Sequence, residues 1–141
     1  MSEVRSGEGD GLDVGDRLAI HELLGLYGHL IDERRWDELD RVFTDDVVYD
    51  ASDFGMPVTR SLVELVAEWT SEAGMARHPL AHHATNVVVE GWVPAGVHVR
   101  SKGLGVGAGG RVGSVTYDDV VVRTAGGWRL AARTARLRRP G

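Results

Sequence analysis

The sequence predicts a single α+β domain. Two observations carry this. Before residue 80 the apolar residues recur at helical spacings, as in Leu18, Leu23, Leu26, Leu30 and Ile31. After it, β-branched runs alternate with glycine turns, beginning at Val87–Val89. Helices first and strands later, without alternation, give an α+β chain rather than an α/β one. The expected sheet is curved and mainly antiparallel, with the N-terminal helices packed on it. The space between the two layers is the default place for a ligand.

The elements follow in order. Residues 1–14 are glycine-rich, acidic and poor in apolar side chains, and read as a flexible arm. The domain proper is expected over 15–138, with 139–141 as a tail. Asp16 is placed to cap a first helix over Arg17–Ile31. Its His21 and His29 lie about 12 Å apart by helical rise, too far to share a metal. Asp37–Phe43 reads as a short second helix, and Val47–Tyr49 as a strand. Thr59 or Ser61 caps a further helix bearing Leu62, Leu65, Val66 and Trp69 on one side. Gly74–Pro79 reads as a loop. Strands are expected over Leu80–Glu90, Val97–Val106, Val112–Arg123 and Trp128–Leu137. The turn Ala125-Gly126-Gly127 between the last two is a hairpin signal. Gly107, Gly109 and Gly110 follow a strand but precede no helix with Lys-Ser or Lys-Thr, so they are a turn and not a phosphate loop.

Composition excludes several function classes. There is no cysteine, hence no disulfide, thiolate metal site or cysteine nucleophile. Sixteen basic against 21 acidic residues, a formal charge of −5, make no case for nucleic acid. No apolar run has the length of a membrane span, and the start lacks a signal-peptide pattern, so the expected location is cytoplasmic. No His-Glu-x-x-His or Gly-x-Ser-x-Gly pattern occurs, which argues against a catalytic metal and a serine elbow. Neither metal nor organic cofactor is expected.

The chemistry-bearing residues are few. Asp32 closes the apolar run of the first helix. It is either the cap of the next helix or a general base at a pocket mouth, and the second role requires a partner. His82-His83-Ala84-Thr85-Asn86 is the densest polar cluster beside a strand. Alternation puts His82, Ala84 and Asn86 on one face and His83, Thr85 and Val87 on the other. A histidine from this cluster, oriented by Asp32, would make an acid/base dyad. Tyr49 is a hydrogen-bond donor to a ligand or a core aromatic. Arg133 is a pocket cation, a partner of Asp32, or exposed. His98 faces cavity or solvent, and Trp128 is expected to plug the sheet edge.

Three segments carry a family resemblance: Ile20-x-x-Leu23…Tyr27…Asp32 with Trp36-x-x-Leu39-x-x-Val42-Phe43-x-x-Asp46; His82-His83-x-Thr85-Asn86; and Tyr117-x-Asp119 with Gly127-Trp128-Arg129-Leu130-x-x-Arg133. From about Val14 to Leu137 the chain resembles the SnoaL-like group of the NTF2-like superfamily, a cone-shaped α+β fold enclosing a pocket. Its pattern is similar to those of scytalone dehydratase and hexachlorocyclohexane dehydrochlorinase. The resemblance implies a cofactor-independent lyase or dehydratase on a small hydrophobic or polyketide-like substrate, with Asp32 and His82 as the dyad and His83 the alternative histidine. Tyr49, His83, Arg133, Tyr27 and Trp69 are the implied substrate contacts. The scytalone enzyme's second histidine has no clear match. Polyketide cyclase, ketosteroid-type isomerase and a non-catalytic binding or assembly module are the other activities it allows. It also implies a homodimer or homotrimer.

Overall fold

The computed structural model describes residues 11–140. The first helix, α1, spans Val14–Asp32 and starts three residues earlier than its spacing suggests. The reason is a capping box. The Asp13 carboxylate accepts from the Asp16 amide at 2.7 Å, and Asp16 accepts from the Asp13 amide at 3.1 Å. The cap is therefore Asp13. Asp16 is the reciprocal residue and also takes the Trp128 indole N–H, tying the helix start to the sheet. Leu12 and α1's Ile20, Leu23, Leu24, Tyr27, Leu30 and Ile31 form the core stripe. Leu18, expected on that stripe, is 59% exposed, because two residues before Ile20 place it about 200° round the helix from the stripe. The expected arm lies mostly over residues 1–10, outside the described residues.

The run after α1 is a 3-10 turn over Trp36–Arg41 rather than an α-helix. It is six residues long and begins without a side-chain cap, so the tighter form suffices. Strand β1 follows directly, at Phe43–Asp50. Ser61, not Thr59, caps α2 (Leu62–Thr70), its hydroxyl accepting from the Glu64 amide. Thr59 instead pairs by backbone with Tyr49. The segment expected as a loop from Gly74 overlaps the second half of α3 (Glu72–Arg77), capped by Ser71. Gly74 is required there, since a Cβ would collide with the carbonyls of Glu68 and Trp69.

Strands β2 (Ala81–Val93), β3 (Gly96–Val106), β4 (Val112–Thr124) and β5 (Gly127–Arg136) make an antiparallel meander. β1 joins it parallel to β5, giving a mixed five-stranded sheet in the order β1-β5-β4-β3-β2. Its inner face carries Val97, Val99, Val121 and Leu130, packed under α1. Trp128 is buried, as its position at the sheet end predicted. No helix of the described residues is long and apolar enough to cross a membrane.

Candidate active site

Three elements converge on a cavity of about 700 Å³ between α1, the α2–α3 pair and the sheet. α1 delivers Asp32 at its last residue, and β2 delivers His82 at its second. The Asp32 carboxylate holds His82 twice. His82 Nδ1 lies 2.6 Å from Oδ1, and the His82 backbone N–H donates to Oδ2 at 2.9 Å and Oδ1 at 3.2 Å. Both side chains are part-buried, 17% exposed for His82 and 22% for Asp32. A carboxylate can only accept, so Nδ1 carries a hydrogen, and in the neutral imidazole Nε2 is then the nitrogen with the lone pair. Capping is not Asp32's role: the cap position of the 3-10 turn is Arg35, and no side chain caps it.

The close approach of α1 and β2 depends on Gly28, one turn before Asp32. A Cβ there would stand 2.8 Å from the His82 carbonyl oxygen. Alternation along β2 survives only to Thr85. Asn86 takes φ 54° in a bulge, so it leaves the face it was expected to share with His82. His83 is exposed and reaches only the cavity edge.

The sheet supplies the opposite wall. Asp119 on β4 and Arg133 on β5 are register partners on the inner face. Arg133 Nε and Nη2 donate to the two Asp119 oxygens at 2.8 and 2.9 Å, with both residues at most 2% exposed. Arg133 thus pairs with Asp119 and not with Asp32. Its guanidinium lies 3.6 Å from the Tyr117 ring centroid and 4.4 Å from that of Tyr27. Burial opposes the charge, but the Asp119 carboxylate outweighs it and Arg133 stays cationic. Its buried Nη1 has no hydrogen-bond partner among the described residues.

Tyr27, Tyr49 and Trp69 line the cavity as the sequence suggested. The Tyr27 and Tyr49 hydroxyls are 2.8 Å apart. Burial raises both, so each remains a protonated phenol at neutral pH. Tyr27 makes edge contacts with Phe43, Trp69, His82 and Tyr117, which joins the two walls.

Sequence reasoning passed over His78. It lines the cavity, its ring 6.2 Å from that of His82 and within 5.9 Å of those of Trp36 and Trp69. Burial, then the nearby Arg34 charge, lowers its pKa to about 4. The only sequence signal was Pro79, which holds the preceding residue extended, here at ψ 130°. His29 is exposed, and His98 bonds Asp118 at 2.9 Å away from the cavity. No group of three His, Asp or Glu side chains among the described residues could hold a metal ion.

Comparison with known proteins agrees with this architecture. The sequence model of the SnoaL-like domain family matches residues 13–134. The chain belongs to this family. An uncharacterised protein of Mycobacterium tuberculosis is 35% identical over 128 residues, covering 86% of this chain and 84% of the relative. A crystal structure from Novosphingobium aromaticivorans, provisionally named an aromatic ring hydroxylase, is 30% identical with a TM-score of 0.74. It covers 91% of this chain and 92% of that one. The hexachlorocyclohexane dehydrochlorinase LinA-type3 of Novosphingobium barchaimii is 19% identical, with a TM-score of 0.70 over 89% and 88% of the two chains, and is similar in fold. This SnoaL-like domain therefore shares its α+β, NTF2-like architecture and mixed sheet with proteins of diverse names.

Proposed function

We propose that this SnoaL-like protein is a cofactor-independent lyase acting on a small, largely apolar molecule, with the sheet curving around the substrate as a cone. The observation that carries the reading is the Asp32–His82 pair at the cavity. Asp32 fixes the imidazole through the ring and through the backbone of the same residue, so Nε2 is oriented before substrate arrives. Nε2 takes a proton from a carbon beside a carbonyl or a leaving group, and the imidazolium formed is stabilised by Asp32. Charge that develops on the departing or enolic oxygen meets the Arg133 guanidinium and the Tyr27–Tyr49 hydroxyls.

The test is product analysis on β-hydroxy ketones and polyketide-like aromatic ketones, followed by kinetics of Asp32→Asn, His82→Ala and the double variant. Loss of water supports elimination, while a shifted double bond or a new ring assigns the same base to isomerisation or cyclisation. Each single change is expected to lower turnover by roughly 10² to 10⁴. The double change should cost little more than the worse single one, because the pair acts as a unit. Multiplicative losses would refute the dyad.

A further inference from the structure

The cavity wall carries a charge pattern that the dyad does not use. Three arginines and three histidines line it, and among the described residues no Asp or Glu does. This is so in a chain with 21 acidic residues and a net charge of −5. Asp32 and Asp119 stand behind His82 and Arg133, with their oxygens committed to those partners. The arginines of the wall therefore offer positive charge to a ligand while the chain as a whole repels anions.

The three arginines are not equivalent. Arg133 is paired with Asp119, and Arg77 with Glu68 at 2.7 Å. Arg111 is exposed at the cavity edge and has no carboxylate within ion-pair distance among the described residues. It sits on the turn between β3 and β4, where its own carbonyl accepts from the Gly107 amide at 2.7 Å. That bond anchors its backbone and leaves the guanidinium to the cavity edge. Phe54, Leu80 and Val112 are exposed there too, so apolar and cationic surface meet at the opening. Deeper in, Tyr27, Tyr49 and Trp69 present aromatic faces and edges.

Resting on the reading of this cavity as the substrate site, we propose that its ligand is an amphipathic organic anion, with an aromatic or alicyclic body against the Tyr27–Trp69 wall and a carboxylate on the Arg111 guanidinium. An arginine fork matches a carboxylate in geometry as well as charge. The acid group is then held at the opening, and the apolar end carries the reacting carbon toward His82.

The probes are 2-naphthoate and its neutral counterpart 2-naphthamide, titrated calorimetrically into the full chain. Naphthoate should bind about two- to fivefold more tightly at low salt, the upper range of a partly exposed ion pair. The preference should shrink as salt is raised, since an exposed pair is screened. Arg111→Gln should bring the two affinities together by weakening naphthoate alone, and Arg111→Lys should restore part of the difference. Equal affinities in the parent protein overturn the inference. So does a preference that survives Arg111→Gln, including one lost only in Arg133→Met. Neither arm requires turnover. A protein that prefers naphthoate through Arg111 yet shows no product chemistry rejects the dyad reading and leaves the anion site standing.

Discussion

Gly28→Ala tests whether the contact between α1 and β2 sets the dyad. The added methyl would meet the His82 carbonyl oxygen at 2.8 Å and the His82 Cβ at 3.3 Å. Neither is the end of a flexible side chain, so the strand must retreat by about 0.6 Å to reach ordinary contact distance. A retreat of that size along the bond would stretch the two His82 amide bonds to Asp32, now 2.9 and 3.2 Å, to about 3.5 and 3.8 Å, beyond hydrogen-bonding range. Stability should change much less. Alanine improves helix propensity by about 1 kcal/mol, while overpacking costs about 1–3 kcal/mol. The net loss is therefore within about 2 kcal/mol. Hydrogen exchange resolved at the His82 amide reads the bond directly. A bond to a charged acceptor contributes about 1.5–3 kcal/mol, so protection should fall by at least about tenfold in the variant. Far-ultraviolet circular dichroism should keep the parent spectrum. Unchanged His82 protection in a folded Gly28→Ala protein would refute the claim that this glycine positions the dyad.

Asp13→Ala removes the α1 cap and should lower stability by about 1 kcal/mol in urea titration, without altering ligand binding. Asp119→Asn strips the buried Arg133 of its counter-charge and should cost about 3–5 kcal/mol, whereas replacing both partners by Leu and Met should recover most of that stability. His78 should titrate near pH 4 by NMR, against about 6.5 in the unfolded chain. Its folded pKa is depressed, so the unfolded state alone binds the proton between those values. Stability should then fall as pH drops from about 6.5 to 4, by about 1–2 kcal/mol once solvent screening of this half-buried ring is allowed for, and His78→Leu should abolish that part of the slope.

The site was legible in the sequence where chemistry and periodicity coincided. Asp32 and His82 stood out as a proton-handling pair bordering apolar runs, and the fold joins them at 2.6 Å. The meander was visible because β2, β3 and β4 are rich in valine, and the turns into β4 and β5 carry glycine. What stayed hidden depends on contacts made across the chain. No local pattern reveals that Gly28 faces a carbonyl 54 residues later, or that Arg133 finds Asp119 across one ladder step. The start of α1 was misplaced because two aspartates three residues apart both suit a cap, and only the reciprocal bonds assign their order. Gly74–Pro79 was read as a loop because Gly74 looks like a helix breaker, yet residues 74–77 close α3. Here its missing side chain is what admits the turn.

Tyr27 makes the two walls of the cavity one unit. It lies on α1 five residues before Asp32, so the same rigid helix fixes both. Its ring sits 6.1 Å from that of His82 and carries the Arg133 cation on its face, while its hydroxyl meets Tyr49 from the far edge strand. A shift of α1 would therefore move the orienting carboxylate and the cation's aromatic seat together. On the proposed reading, proton removal and stabilisation of the resulting negative charge fall to different strands, β2 for the base and β5 for the cation. Those strands lie three steps apart in the sheet, and β2 is a bulged edge strand. Their spacing is set less by the sheet ladder than by the helix that spans it. Cavity-creating changes along the buried stripe of α1, such as Leu24→Ala, should accordingly disturb base and cation in a correlated way.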